Sequence, residues 1–134
     1  MKKIKIFCDA SYKPETSSYG ALFSIYKDGL NIEEFTASGE FRAESNLSAE
    51  FFAVLLALDF VDNDCDKLQI YSDCNLLSRV MNNQATYPES LYYHVQELNR
   101  YASIFYITWH WLSRKDHKIR KVHELAFNER IKNE

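Results

Sequence analysis

No apolar stretch in this chain approaches the roughly 18 residues that a membrane-spanning helix requires. Met1-Lys2-Lys3 leads directly into strand-like residues, so no signal peptide is expected either. Cysteine is sparse and unpaired in its spacing: Cys8, Cys65 and Cys74 form neither a disulfide framework nor a zinc pattern. They read as reduced thiols, and the expected location is the cytoplasm. Excess positive charge is missing as well. The formal net charge is −3, which disfavours binding of nucleic acid by bulk electrostatics and requires any such contact to use a local patch. Repeats, linkers and low-complexity segments are absent. What is present is a hydrophobic content of 46% with 15% aromatics over 134 residues, enough for the core of a single domain spanning 1–134.

The chain is organised around Lys3-Ile4-Lys5-Ile6-Phe7-Cys8-Asp9-Ala10-Ser11, an alternating stretch that becomes a β-branched and aromatic strand and ends in a carboxylate. A buried carboxylate is costly unless a metal, a cation or donors compensate it. Taken singly, Asp9 reads more readily as the cap of the turn at Ala10, Ser11 and Tyr12. A polar loop, Tyr12–Ser18, follows, then a second strand over Gly20–Tyr26 and a third over Asn31–Phe41. Asp28-Gly29 between them is a tight-hairpin signal, so the first three strands are expected to form an antiparallel meander.

Ser45-Asn46-Leu47-Ser48 offers several helix caps before an apolar-periodic segment, Ala49–Val61. Glu50, Ala53, Val54 and Ala57 share one face of that helix. The face is small enough to sit close on a sheet. Glu50 points at the sheet or, equally, to solvent beside the helix N-terminus. Asn63-Asp64-Cys65-Asp66 breaks the helix, and Lys67–Ser72 forms a fourth strand running into Asp73 and a helix over Asn75–Met81. Strand–helix–strand order makes this strand parallel to the first. The two end alike, Ile-Phe-Cys-Asp and Ile-Tyr-Ser-Asp, which brings Asp9 and Asp73 to the edge where open α/β sheets hold their sites. Beyond a connector at Asn82–Glu89, Ser90–Tyr101 reads as a helix and Phe105–Leu112 as a fifth strand. Ser113–Lys118 is a basic loop and Ile119–Ile131 a last amphipathic helix.

Three carboxylates from two strand ends and one helix therefore converge. Converging acids repel and need a counter-charge, usually divalent cations. Hard oxygen ligands with open positions favour magnesium or manganese, and two such ions activate a water and stabilise the leaving oxygen of a phosphodiester. The residues alone lead to a metal-dependent hydrolase of phosphate esters.

The strand Ile6–Ser11, the triplet Tyr19-Gly20-Ala21, the helix segment Ser48–Ala53, Tyr71-Ser72-Asp73, Trp109-His110-Trp111-Leu112 and Val122-His123-Glu124-Leu125-Ala126 together resemble type 1 ribonuclease H over nearly the whole chain. That resemblance implies an α/β, ribonuclease H-like five-stranded mixed sheet, an antiparallel 1-2-3 meander plus parallel strands 4 and 5, with helices on both faces. It implies endonucleolytic cleavage of the RNA strand of RNA–DNA hybrids with two ions, Mg2+ or Mn2+. Carried over by position, the family's first three acids fall on Asp9, Glu50 and Asp73. The fourth, normally Asp, is His123 here. A nitrogen ligand in that place favours Mn2+, which accepts imidazole more readily. Asn46 and His117 are the substrate contacts the resemblance implies; Ser11 and the dense basic cluster of Arg114, Lys115, Lys118, Arg120 and Lys121 are further candidate contacts. Asp116 is a second candidate for the missing ligand. No Lys or Arg stands in 82–90, where many members carry a basic handle. The implied partner is an RNA–DNA hybrid, with no membrane and no obligatory protein partner.

Other readings remain open. A catalytically impaired nucleic-acid-binding module on the same fold would explain His123, although intact Asp9, Glu50 and Asp73 argue against decay. A related 3′–5′ exonuclease would be expected to show Asp-x-Glu on the first strand, where Asp9-Ala10-Ser11 supplies one acid. A protein-interaction domain with a structural cation would need no basic loop.

Overall fold

β1 (Lys2–Ser11) is the central strand of a five-stranded sheet in the computed structural model, which describes residues 1–62, 64–132 and 134. It pairs antiparallel with β2 (Ser17–Lys27), and β2 pairs antiparallel with β3 (Leu30–Phe41). On its other side β1 pairs parallel with β4 (Lys67–Ser72), which pairs parallel with β5 (Tyr106–Trp111), giving the order β3-β2-β1-β4-β5. The meander closes as its turn chemistry requires. Asp28 and Gly29 both have positive φ, 51° and 84°, the combination that matches a two-residue turn to strand twist.

Helix α1 (Asn46–Leu58) starts three residues earlier than its apolar period suggests. Of the candidate caps before it, Ser45 is the one used. Its hydroxyl accepts from the Ser48 backbone N–H while the Ser48 hydroxyl accepts from the Ser45 N–H, each at 3.0 Å, a reciprocal capping box. The helix ends at Leu58 instead of Val61. Asn63, part of the expected break, lies outside the described residues. α2 (Asn75–Met81) has the expected span, and the expected helix at Ser90–Tyr101 divides into a 3-10 turn, Glu89–Leu91, and α3 (Tyr92–Ile104). β2 begins at Ser17, because the pairing with β3 extends to Ser17 opposite Phe41, and the first loop is correspondingly shorter than Tyr12–Ser18. α4 (His117–Lys132) also starts early, since Asp116 Oδ1 accepts from the Lys118 and Ile119 N–H groups at 2.9 and 3.2 Å.

Strand alternation assigns the two faces. Ile4, Ile6, Cys8 and Ala10 of β1 pack with Ala49, Ala53, Val54 and Ala57 of α1 and with Leu77, Val95 and Leu98. Phe7 and Leu22 point the other way, against Ile119 and Val122 of α4. Each fully buried Leu, Ile or Phe contributes about 1.5–3 kcal/mol of transfer free energy. The approach of α4 is especially close. A Cβ on Gly20 would lie 2.9 Å from both Ala126 N and Leu125 Cβ and would strike the Val122 carbonyl, and the Ser18 hydroxyl donates to the Ala126 carbonyl. No helix among the described residues is long and apolar enough to cross a membrane.

Candidate active site

The parallel register of β1 and β4 sets their C-terminal ends side by side, Cys8 opposite Ser72. The next residue on each is a carboxylate. Asp9 is still within β1, opposite Gly20 of β2, and is 1% exposed. Asp73 follows the last residue of β4. Glu50 comes from the first turns of α1, on the small-residue face that rests on the sheet. Carboxylate oxygens of the three lie within 4.8 Å of one another. Glu50 therefore points at the sheet, and Asp9 is not a turn cap.

The electrostatics are those of a site built for positive charge. Burial, then the neighbouring Asp73 charge, raises the Asp9 carboxyl above the usual range. Burial, then Asp9 and Asp73, raises Glu50 further still. Two side chains offset part of this. His123 Nδ1 lies 2.7 Å from Asp9 Oδ2, and Arg114 Nε donates to Asp73 Oδ2 at 2.9 Å. Asp9 Oδ1 is buried and has no hydrogen-bond partner. An orphaned carboxylate oxygen among two further carboxylates fits a hard divalent cation. Burial pushes the nearby Cys74 thiol up to about 11. An open cleft of about 340 Å3, lined by Ala10, Asn46, Glu50, Asp73, Cys74 and Arg114, gives access to the carboxylates.

The family model for RNase H matches residues 1–128. The chain belongs to the RNase H family. A nuclease activity goes with that membership, as does the use of divalent metal ions, for which Asp9, Glu50 and Asp73 form the acidic cluster. Among solved structures, the N-terminal RNase H domain of rv2228c from Mycobacterium tuberculosis, solved as a fusion with maltose-binding protein, superposes with a TM-score of 0.81. It is 19% identical, over 97% of this chain and 94% of that one. LC11-RNase H1 in complex with an RNA/DNA hybrid gives 0.73 at 21% identity, over 97% and 98%. RNase H1 from the halophilic archaeon Halobacterium salinarum NRC-1 gives 0.77 at 15%, over 98% and 99%. At these identities the likeness is one of fold. No curated protein sequence matches the chain.

The remaining sequence candidates fall in different places around this RNase H site. His123 is brought to it, one turn of α4 beyond Ile119, with Nδ1 on Asp9. Arg114 is brought to Asp73, and Asn46 lies in the first turn of α1 on the same cleft, not as the cap. Asp116 is taken up as the N-cap of α4. Ser11 accepts from Arg130 Nε at 2.8 Å. Lys115 and His117 are exposed at the start of α4, while Lys118 turns away onto the sheet, its Nζ 5.0 Å from the Phe7 ring centroid and 3.7 Å from Glu34.

Two supports were not read from the sequence. Trp111 Nε1–H donates to the Asp73 carbonyl at 3.1 Å, fixing the turn that presents this acid. The Trp109-His110-Trp111 alternation contains the signal, since it buries Trp109 and puts Trp111 on the same side at the strand end. Arg130 follows His123 by seven residues, two turns on one helical face, which places it over Ser11.

Proposed function

We propose that this chain is an endonuclease that hydrolyses the RNA strand of RNA–DNA hybrids, using two divalent cations held by Asp9, Glu50, Asp73 and His123, with Mn2+ favoured over Mg2+. The observation that carries this reading is the convergence of three carboxylates on a buried, unpartnered Asp9 oxygen beside an open cleft. When bound, two such ions lower the pKa of a water and stabilise the leaving oxygen of an in-line displacement. The residues do the rest. Asp9 stands between Glu50 and His123 and would be the ligand shared by the ions. With Nδ1 at hydrogen-bond distance from Asp9, His123 would offer Nε2 to an ion, and the contact orients the ring. Arg114 balances Asp73 and shares the cleft with Asn46, so both are placed to meet phosphate. Exposed Lys115 and His117 extend that contact surface, which positions a duplex without reading its sequence. A hybrid is recognised by groove shape and 2′-hydroxyls, and the hybrid bound by LC11-RNase H1 supports the same class of partner here. The chain acts as a single domain in the cytoplasm, a setting consistent with three free cysteines. An exonuclease is less well supported, because β1 supplies one acid only.

The test is cleavage of an end-labelled RNA–DNA hybrid with added Mn2+ or Mg2+, with single strands and both homoduplexes as controls. Internal cuts in the RNA of the hybrid, abolished by Asp9→Asn, are expected. Equal cutting of double-stranded RNA, or near wild-type turnover of Asp9→Asn, refutes the proposal.

A further inference from the structure

α4 covers only part of its side of the sheet. It packs on β1, β2 and β3, and the outer half of that face, toward β5, is a regular grid set by strand register. The row nearest the active site is Phe7–Tyr71–His110, the middle row Lys5–Gln69–Thr108, and the far row Tyr26–Lys3–Lys67–Tyr106. Rings and ammonium groups alternate across it.

The first row is a continuous stack. Phe7 and Tyr71 have centroids 4.8 Å apart at 15°, and Tyr71 and His110 4.8 Å apart at 20°. Lys118 closes its inner end over Phe7. His110 is the outer end, on the edge strand, so no further strand lies beyond its ring. Its Nε2 is 2.8 Å from Thr108 Oγ1, which fixes the ring's orientation. Burial, then the charges of Lys67 and Lys5, lowers its pKa, which keeps the imidazole neutral and suited to stacking. In the far row Lys67 lies 5.5 Å from the Tyr106 centroid and Lys3 and Lys5 each 5.1 Å from that of Tyr26. Tyr106 is 64% exposed. Tyr106 and His110 thus stand four residues apart on one side of β5, about 13 Å along the strand.

Charge decides what such a face receives. Lys3, Lys5 and Lys67 project from it, and Glu34, the acid of β3 level with Lys5 across Ser24, is occupied by Ser24 and Lys118. Rings interleaved with cations suit bases that stack and phosphates that pair. The middle row adds the Gln69 amide and Thr108 hydroxyl, partners for 2′-hydroxyls. The grid also leads to the catalytic edge, because Phe7 and Tyr71 are each two residues before Asp9 and Asp73.

We propose that this open sheet face binds single-stranded RNA, with bases stacked on His110 and Tyr106 and phosphates on Lys3, Lys5 and Lys67. Such a surface would hold an RNA flank beside a duplex seated at the carboxylates. It is separable from cleavage, since binding here requires no metal.

Fluorescence anisotropy of a labelled A-rich RNA 12-mer, titrated with the full chain in EDTA, measures it. The Tyr106→Ala, His110→Ala double variant should lose roughly tenfold in affinity for each base that loses its ring. Tyr106→Phe, which keeps the ring, should bind like wild type. Lys3→Gln, Lys5→Gln and Lys67→Gln together should flatten the salt dependence by about 2 in logarithmic slope. Thermal melts show whether each variant is folded, and the lysine variant carries the test if the alanine variant is not. Equal affinity for DNA of the same sequence, unchanged binding by the ring and lysine variants, or loss of binding on neutralising Lys115 and Lys121 instead, overturns the proposal.

Discussion

Glu50→Gln should make the metal-free protein more stable. Glu50 faces two carboxylates with oxygens within 4.8 Å, and a pair of unit charges at that separation repels by about 3.5 kcal/mol at an effective dielectric of about 20. His123 on Asp9 and Arg114 on Asp73 offset part of this, and water in the open cleft screens more. A net gain of about 1–3 kcal/mol at neutral pH follows, several degrees in Tm for a chain of this size. The pH dependence has a definite sign. Burial first, then carboxylate neighbours, raises both Glu50 and Asp9 in the folded state. A raised carboxyl contributes its full stability below its unfolded value of about 4 and loses it as pH rises through the folded pKa. Wild type in EDTA should therefore match Glu50→Gln near pH 4 and fall progressively behind it toward pH 8. Divalent cations should reverse the order, because wild type gains by mass action while the variant lacks one ligand. Urea unfolding of both proteins across that pH range, in EDTA and in millimolar Mg2+, measures all three effects. A variant less stable than wild type at pH 7 in EDTA, or a gap that does not change with pH, refutes the reasoning.

Two further outcomes are expected. His123→Asp should narrow the preference for Mn2+ over Mg2+, and His123→Ala should cost activity chiefly at low metal concentration; a metal titration of rate in which His123→Ala matches wild type throughout removes His123 from the ligand set. Gly20→Ala should destabilise by about 1–3 kcal/mol through overpacking, because the added methyl meets the α4 backbone, and should weaken metal binding measured by calorimetry, since Gly20 sits opposite Asp9 where α4 delivers His123; unchanged stability shows that α4 shifts without cost.

Local chemistry carried most of the architecture in the linear chain. Alternation, the Asp-Gly turn and two strands ending Ile-Phe-Cys-Asp and Ile-Tyr-Ser-Asp were sufficient for the sheet and for pairing Asp9 with Asp73, because period and turn type are properties of neighbouring residues. Helix starts were less legible. Reciprocal bonding selected Ser45 over its neighbours, and Asp116, read as a second candidate ligand, became a cap through contacts two and three residues on. For Glu50 the sequence left sheet and solvent equally open; only the packing of α1 on β1 chose, since a helix face acquires a direction when something covers it. Likewise, sequence alone named a basic run from Arg114 to Lys121 but could not divide it. The tertiary structure sent Arg114 to Asp73 and Lys118 to Phe7, since long side chains in one run settle on whichever distant surface their own backbone faces. His123 on Asp9, Arg130 on Ser11 and the Phe7–Tyr71–His110 stack join residues far apart in sequence. Those contacts exist only once sheet register and the close seat of α4 over Gly20 are set.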